Sequence, residues 1–524
     1  MARIAFILLC HKDPDAVVAQ AERLTAAGDG VAIHFDASAP AGAFRRIEAA
    51  LRGNPNVAFA RRIRCGWGEW SLVQATLNAC EAALEAFPEA THLYMLSGDC
   101  MPIKSAAYAR AALDADDADF IESFDYFESD WIRTGFKEER LIYRHWFNER
   151  TQRRRFYTMF HAQRRLGITR AIPGDLRVMI GSQWWCLRRR TVEAVMAFCA
   201  ARPDVLRFFR TTWIPDETFF QTLVRHLVPA REIRARTLTF LMFSDYGMPV
   251  TFYNDQYDLL LGQDFLFARK VSPEAMDLKA RLGDLWAEGR LDFPISGEGR
   301  RLHAFLTGQG RIGRRYAPRF WEREATLGRE RELLLVTSKK WHVAKRLIGR
   351  IREETGLPCV DYLFDEEATP LPDLGGVQST LGKRQRHRRA MLRMLFDRYG
   401  SDRLVIGLDT ARLDLMRDFY ADRCLTRLLE LECLFTDEHL LGHARRIGLA
   451  GARTAEGTVR ALLPTLRHEI AHESDRIRDA GFPHHHRLRQ GATDAENAAA
   501  IGAFLSCSEE VAARIANTHY IFED

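Results

Sequence analysis

The sequence of 524 residues has no long hydrophobic run, since no stretch approaches the ~20 consecutive apolar residues that a membrane-spanning helix needs. Its first apolar run, residues 4–10, continues into His11-Lys12-Asp13-Pro14 and lacks the small-residue cleavage site of a signal peptide. We therefore expect a soluble, cytoplasmic protein and interpret residues 4–10 as a buried first strand.

Disulfide scaffolding and a strong charge surplus are also missing. The ten cysteines are scattered without a CxxC pair, which favours a reducing compartment. The sequence has 75 Lys and Arg residues against 70 Asp and Glu residues, and the net charge of +5 is too small to indicate a nucleic-acid partner. With 47% hydrophobic and 28% charged residues, the chain has the composition of a folded protein of at least two domains.

Short apolar stretches alternate with helical patterns over residues 1–130. We predict strands at 3–10, 31–36, 56–60 and 91–97, and helices at 15–28 and 71–87, the second capped by Ser71. A further strand at 181–187 and a helix beginning at Pro215 follow. This pattern predicts an α/β fold with a mostly parallel sheet flanked by helices.

The region from 291 to 330 is rich in Gly and Arg and has no clear periodicity, so we predict a linker there. It would separate a first domain, 1–290, from a smaller α/β, helix-rich domain at 331–524. The second α/β pattern starts at 332–351 and resumes at 402–409, and we expect the rest to be mainly helical.

Polar residues follow the predicted strands at the points where a ligand would bind. Ligands of open α/β sheets lie outside the carboxyl ends of the strands, so His11, Asp36, Ser97 and Asp99 are expected around one crevice. Neither GxGxxG nor GxxxxGK[ST] occurs within residues 1–130, which argues against the two common phosphate-binding loops in this α/β pattern.

Five segments, in this order, resemble those of one enzyme family. They are CGWGEWS (65–71), LSGDCMPIK (96–104), GSQWWCLRRR (181–190), PDETFFQT (215–222) and FLFARKV (265–271). Residues 1–280 thereby resemble the core-2/I-branching glycosyltransferases, which include β-1,6-N-acetylglucosaminyltransferases and peptide O-xylosyltransferases. The resemblance implies a GT-A-type fold, a UDP-sugar donor as co-substrate and inversion at the anomeric carbon, with no required metal or cofactor.

The resemblance also implies roles for individual residues. Glu217 matches the catalytic base, and Lys270, beside Arg269, matches the lysine that contacts the donor diphosphate. The other residues expected to bind donor or substrate are His34 and Asp36 (near uridine), Asp99, Trp184 and Trp185 (near the sugar), and, with no side assigned, His11, Trp67, Ser97 and Asp216. At strand period only one of the two adjacent tryptophans can face the site, and the other is expected in the core.

Simpler interpretations exist for the two main residues. Glu217 could merely complement a helix dipole, whose positive end would favour the ionised carboxylate. Arg269 and Lys270 could be a surface basic pair. A second basic residue is missing upstream of the FARK segment, and Gln183 stands where xylosyltransferases carry an acid. Arg234 or Arg236 could substitute for the missing basic residue. Gln183 argues against xylose, although FLFARK and PDETFF are more similar to the xylosyltransferases, so N-acetylglucosamine is the favoured sugar, xylose the alternative, and the glycan or protein acceptor stays open.

A hypothesis from another class rests on HEIAH, residues 468–472. On a helix this motif can bind zinc through two histidines with the glutamate as base, as in metalloproteases. Against it, Glu473 and Ser474 follow where a buried zinc-binding helix needs apolar residues. The run His484-His485-His486 is interpreted as a loop.

Two basic segments complete the sequence-based predictions. Residues 150–170 hold seven arginines and no acid, a pattern that fits an anionic acceptor, peripheral contact with an anionic inner membrane leaflet, or a solvated helix face. The segment 337–346, TSKKWHVAKR, follows a strand and opens a helix as phosphate loops do, but it lacks their glycines.

Overall fold

The computed structural model describes residues 1–132, 135–242, 249–296, 326–451 and 453–523. The chain divides into two compact units, Met1–Tyr316 and Ala317–Asp524. Most of the predicted linker, 291–330, lies outside the described residues, so its boundaries stay a prediction. No described helix combines the length and the apolar character needed to cross a bilayer.

The N-terminal unit alternates strands and helices. Its strands are β1 (Ile4–Cys10), β2 (Gly30–Phe35), β3 (Val57–Phe59), β4 (His92–Ser97), β5 (Met101–Pro102), β6 (Asp119–Phe120), β7 (Phe124–Asp125), β8 (Met179–Ile180), β9 (Cys186–Arg188), β10 (Ile233–Arg234), β11 (Thr239–Phe240) and β12 (Phe267–Ala268). Its helices are α1 (Pro14–Thr25), α2 (Ala41–Leu51), α3 (Trp70–Ala86), α4 (Ala106–Ala115), α5 (Glu139–Ile142), α6 (Arg153–Arg165), α7 (Arg189–Ala201), α8 (Pro203–Phe209), α9 (Phe219–Leu227), α10 (Tyr257–Leu261) and α11 (Met276–Ala287).

The main sheet has seven strands in the order β10-β6-β9-β4-β1-β2-β3. Strands β4, β1, β2 and β3 are parallel neighbours, and β9 runs antiparallel to β4. These four parallel strands confirm the prediction, and β1, β2 and β4 are mostly apolar and buried on both faces, as in a helix-covered parallel sheet, whereas the edge strand β3 is partly buried. The strand expected at 181–187 begins only at Cys186, since residues 181–185 form a loop.

Local sequence signals fix two of the flanking helices. Helix α1 begins where the Asp13 side chain accepts a hydrogen bond from the Ala16 amide at 3.2 Å, with Pro14 in the first turn. The predicted cap of α3 is wrong: the N-cap residue is Glu69, and the Ser71 hydroxyl instead accepts from the Gly66 amide at 2.9 Å. The hydroxyl thus ties down the loop that precedes the helix.

Helix α11 packs on α1 and so belongs to the N-terminal unit. The Trp286 indole donates to the Leu24 carbonyl at 3.2 Å, and the Arg23 guanidinium donates to the Lys279 carbonyl at 3.2 Å. Trp286 is fully buried against Phe6 of β1, with ring centroids 5.6 Å apart. This packing brings the segment after β12 back to the central strands.

The C-terminal unit holds a second open sheet. Its strands, all parallel, are in the order β14-β15-β13-β16-β17, with β13 (Glu332–Thr337), β14 (Cys359–Val360), β15 (Arg403–Leu408), β16 (Leu425–Glu432) and β17 (His485–Arg489). Its helices are α12 (Trp341–Thr355), α13 (Leu381–Arg386), α14 (Arg388–Tyr399), α15 (Leu413–Tyr420), α16 (Asp437–Arg446), α17 (Glu456–Ala461), α18 (Leu463–Asp479), α19 (Asp494–Leu505), α20 (Glu509–Ile515) and α21 (Thr518–Phe522).

The α/β, helix-rich class predicted for this unit is confirmed, but three of its strands were missed, the short β14 among them. Strand β16 was not expected, and the predicted loop at His484-His485-His486 is wrong because His485 begins the edge strand β17. The His485 ring lies 3.0 Å from a Glu430 carboxylate oxygen on β16, so a polar cross-strand pair replaces the apolar alternation that marks most strands.

Candidate functional site

The carboxyl ends of β1 and β4 open into a cleft. Its lining includes His11 and Lys12, which follow β1, and Ser97 and Asp99, which end and follow β4. The two strands are parallel neighbours, so their ends meet at one edge of the sheet. Asp36, which follows β2, lies beside them, because its amide donates to the last carbonyl of β1 at 2.8 Å. The four residues expected around one crevice are therefore together.

Three lysines surround the Asp99 carboxylate. The Nζ atoms of Lys12 and Lys270 lie 3.3 Å and 3.8 Å from its two oxygens, and Lys279 lines the same cleft. Asp13 is the other carboxylate in the lining, and its side chain already caps α1. In the part of the chain that the structure describes, two ammonium groups and two carboxylates thus line the cleft, and the Lys270 ammonium adds a third positive charge beside Asp99, an arrangement that favours a bound anion.

The lysines of the cleft repel one another. Burial, and then the nearby charges of Arg269 and Lys12, lower the pKa of Lys270 below its usual value. Burial also lowers the pKa of Lys279. A bound anion would relieve this repulsion and hold all the ammonium groups charged. Sequence analysis missed Lys12 and Lys279, although Lys12 stands in the strand-end segment that directed attention to His11.

The two adjacent tryptophans separate as predicted. The Arg269 guanidinium carbon lies 3.9 Å from the centroid of the Trp184 ring, in a cation–π contact. Trp185 is fully buried and packs on Phe220 of α9, with ring centroids 5.1 Å apart. Both tryptophans are buried in the core, and Trp184 is the one that also contacts the cationic segment of the site.

Glu217 ends a short 3-10 helix, Pro215–Glu217, and α9 starts two residues later. The predicted position in the first turn of an α-helix is therefore wrong. Thr218 interrupts the helix, since both its amide and its hydroxyl donate to the Pro215 carbonyl. Ile214 has a φ of 54°, a left-handed conformation that β-branched residues rarely adopt, and such strain is common at functional sites.

The Glu217 carboxylate is half-buried against a cation. Arg140 Nη1 donates to its Oε2 at 3.0 Å, and the Trp131 side chain also interacts with it. Burial raises the pKa of Glu217, and Arg140 opposes that rise. The expectation that a helix N-terminus stabilises the ionised carboxylate is thus wrong. The stabilising positive charge comes from Arg140, and the effect of burial on the pKa is larger than the effect of Arg140.

Asp216 differs sharply from its neighbour. Burial, and then the negative charge of Glu217, raise the pKa of Asp216 to about 7. Its Oδ1 atom is buried and has no hydrogen-bond partner among the described residues. Two adjacent carboxyl groups therefore share one charged environment, with the proton held more readily by Asp216.

One loop joins the carboxylate to the cationic segment. The Gly181 amide donates to the Glu217 carbonyl at 2.9 Å, and three residues later Trp184 lies under Arg269. A Cβ atom at position 181 would lie 1.9 Å from the Glu122 carbonyl oxygen, so only glycine fits this close approach. Glu217 and Arg269 thus flank the same segment, 181–184, rather than opposite faces of the unit.

His34 and Asp36 accept hydrogen bonds from backbone amides next to the site. His34 is buried and does not line the cleft: its Nε2 accepts from the Ile63 amide at 3.1 Å, and burial lowers its pKa. The Asp36 carboxylate accepts from the amides of Ser38 and Cys65 at 2.7 Å and 3.2 Å. Both side chains hold the segment that leads to Trp67 in place.

Trp67 forms part of a neighbouring aromatic pocket. This pocket has a volume of about 200 Å³, and the exposed Trp67 ring packs edge-on against Trp213 at 6.3 Å. The Arg150 guanidinium lies 3.8 Å above the Trp67 ring. Trp213 also stacks on Arg140, the partner of Glu217, at 5.1 Å. The aromatic pocket is therefore linked to Glu217 by two consecutive side-chain contacts.

The HEIAH residues give no support to a zinc site. His468, Glu469 and His472 lie on the exposed face of α18, with the two rings stacked 6.2 Å apart. The described residues contain no group of three side chains that could hold a metal ion. Glu473 instead turns inward to Lys339, at 2.9 Å.

Comparison with known families agrees with the geometry. Residues 4–258 match the family of core-2/I-branching enzymes, and residues 269–524 match a family of unknown function (DUF5928). A search of curated proteins found no match. Residues 4–258 therefore match the family that the five segments predicted, and the N-terminal unit is a glycosyltransferase domain with a GT-A-like fold.

Proposed function

We propose that the N-terminal unit transfers a sugar from a UDP-sugar to a hydroxyl group of a glycan or protein, with inversion at the anomeric carbon. The observation that carries this proposal is that Glu217, through its backbone carbonyl, and Arg269, through the Trp184 ring, contact the same loop, 181–184, with Lys270 next to Arg269 in the chain. A single displacement needs these two elements: a base for the acceptor proton and positive charge for the departing diphosphate.

Glu217 acts as the base in this reaction. Its pKa is raised by burial, which makes the carboxylate a stronger proton acceptor than an exposed glutamate. Arg140 keeps it ionised and orients one oxygen, so the other remains for the acceptor hydroxyl. Burial and the negative charge of Glu217 raise the pKa of Asp216. Of the two neighbouring carboxyl groups, Asp216 is therefore the one that takes up a proton, and Glu217 stays ionised.

Lys270, Lys12 and Lys279 stabilise the leaving diphosphate, and Arg269 on Trp184 borders the sugar. These ammonium groups supply at the leaving group the positive charge that a divalent ion supplies in other enzymes. The reaction therefore requires neither metal nor cofactor. N-acetylglucosamine is the favoured sugar and xylose the alternative, since Gln183 replaces the acid that xylosyltransferases carry.

A transfer assay in a chelator tests the proposal. We expect purified full-length protein to release UDP from UDP-N-acetylglucosamine in the presence of a glycan acceptor, at the same rate with and without EDTA. UDP-xylose and UDP-glucose serve as donor controls. A strict requirement for manganese would contradict the lysine-based mechanism, and failure to use any UDP-sugar would contradict the donor class.

We also propose that α6 holds this cytoplasmic enzyme against the inner membrane leaflet. Its apolar side chains Phe156 and Phe160 are buried, whereas its arginines face outward. Just past its end, Leu166 and Ile168 are 70% and 47% exposed. Exposed apolar residues beside a cluster of arginines are typical of a surface that binds anionic lipid.

Vesicle sedimentation tests this membrane contact. Arg164→Glu/Arg165→Glu should lower binding to phosphatidylserine vesicles about tenfold or more, because each cation near such a surface contributes about 1 kcal/mol. The matched control is Arg45→Glu/Arg52→Glu, two exposed arginines of and just after α2. Equal losses in both variants, or equal binding to phosphatidylcholine, would refute a specific role for α6.

A further inference from the structure

The C-terminal unit has an open sheet edge of its own. Strand β13 is central, with β15 on one side and β16 on the other, all three parallel. The chain passes from β13 to β14 on one side, returns to β15, and then crosses to β16 and β17 on the other. In open α/β sheets ligands bind outside the carboxyl ends of the strands, where the connections diverge in this way.

A cavity of about 510 Å³ lies at this edge, between the start of α12 and the length of α16. Cationic and imidazole side chains dominate its lining, and among the described lining residues one acid, the exposed Glu438, accompanies them. Besides Lys339, the basic residues in this lining are Lys340, His342, His439, His443 and Arg446. An anion bound in this cavity would therefore contact positively charged groups or N–H donors on more than one side.

The floor of this cavity is held by a buried ionic network. Lys339 Nζ lies 2.9 Å from an Asp409 oxygen and 2.9 Å from a Glu473 oxygen. The Trp341 indole donates to the second Asp409 oxygen at 2.7 Å, and its ring stacks on Tyr362 at 4.4 Å. The segment after β13 is therefore fixed in place before any ligand arrives. This network also accounts for the glutamate that follows HEIAH.

Two groups on α16 are oriented toward the cavity by their neighbours. The Arg446 guanidinium lies 4.9 Å from the Trp341 ring centroid and donates to His443 Nδ1 at 2.9 Å. Because Nδ1 accepts that bond, the neutral His443 ring carries its proton on Nε2 and can donate from there. Arginine in this stacked position presents its remaining N–H groups as a planar fork, which suits tetrahedral oxyanions.

We propose that this cavity binds a small ligand that carries a phosphate or sulfate group, gripped by Arg446, Lys340 and the imidazoles. The segment 338–341 has no glycine, so its backbone cannot wrap a chain of phosphates. Side chains must hold the anion instead, which points to one terminal oxyanion group rather than a metal–triphosphate. This second binding site is separate from the sugar-transfer site and does not depend on it.

Titration of the full-length protein with inorganic phosphate, sulfate and AMP tests the proposal by calorimetry. We expect saturable binding that Arg446→Ala weakens about tenfold or more, the usual loss for a charge-assisted contact. The matched control is Arg445→Ala, the adjacent exposed arginine of α16, which does not line the cavity. Tighter binding of AMP than of phosphate would identify a nucleotide as the source of the group, and equal binding would identify the free anion.

A variant of the N-terminal site keeps the two sites apart. Lys270→Ala should leave phosphate binding at the C-terminal cavity unchanged, whereas Arg446→Ala should leave sugar transfer unchanged. Arg446 is exposed, so unaltered thermal unfolding of the unliganded variant is expected. Absence of saturable binding, equal losses in Arg445→Ala and Arg446→Ala, or loss of binding in Lys270→Ala alone would each overturn the proposal.

Discussion

Replacing Glu217 by glutamine should lower kcat for sugar transfer by about 10³-fold, because removing a general base typically costs 10² to 10⁴. Binding of the UDP-sugar should be unchanged, since the carboxylate acts on the acceptor proton and the lysines hold the diphosphate. Single-turnover transfer and calorimetric donor binding, measured on the same preparation, separate the two effects. The matched control is Glu138→Gln, because Glu138 is exposed and its side chain makes no capping hydrogen bond to helix α5.

The pH profile distinguishes a base from a merely structural carboxylate. A base works when deprotonated, and burial raises the pKa of Glu217, so kcat/KM should rise with pH along an acidic limb above the usual glutamate range. Arg140 opposes that rise, and Arg140→Gln should therefore move the limb to higher pH. Arg140→Lys retains the charge and should move it less. If Glu217→Gln kept a tenth of the activity or more, or the limb did not respond to Arg140, the assignment of the base would be wrong.

Replacing Lys270 by alanine should lower kcat/KM by about 10²- to 10³-fold, the loss found when one fixed charge-stabilising group is removed from a transition state. The ammonium lies 3.8 Å from Asp99, a residue of the cleft that Lys12 and Lys279 also line, so its loss removes positive charge at the leaving group. Lys12→Ala and Lys279→Ala should show smaller losses.

Ligand affinities identify what Lys270 contacts. In Lys270→Ala the Kd for UDP should rise about tenfold or more, equal to 1.4 kcal/mol per factor of ten, while the Kd for uridine stays the same. Lys345→Ala is the matched control: its ammonium is exposed to a similar degree and pairs with Glu366 at 2.6 Å in the C-terminal unit. A parallel loss of uridine binding would show that Lys270 only supports the fold of the cleft.

Local patterns carried most of the fold prediction for residues 1–130. Strands β1, β2 and β4 are mostly apolar runs because both faces of the parallel sheet are covered there, and such runs are visible without any knowledge of partners. The missed strands have other sequences. β17 begins with histidines whose partner, Glu430, lies 55 positions away in the chain, and no local pattern reveals such a pair.

The candidate site was predicted in part for the same reason. His11, Ser97 and Asp99 stand at strand ends, where the direction of a parallel sheet alone brings them together. The 3-10 conformation at Glu217 escaped prediction because Pro215, Asp216 and Glu217 also fit the first turn of an α-helix. Only the packing of Ile214 and Thr218 in the folded chain decides between the two.

The sequence by itself determined the class of sheet, the crevice at the ends of its strands, and the resemblance of the N-terminal unit to the core-2/I-branching enzymes, since all three depend on short segments in a fixed order. Tertiary structure alone decided that Arg140 pairs with Glu217, that Lys12 and Lys279 join Lys270, and that basic residues of α12 and α16 enclose a cavity. The physical reason is distance along the chain: charge and burial at a site come from groups tens to hundreds of residues apart, whose meeting depends on the packing of the whole unit.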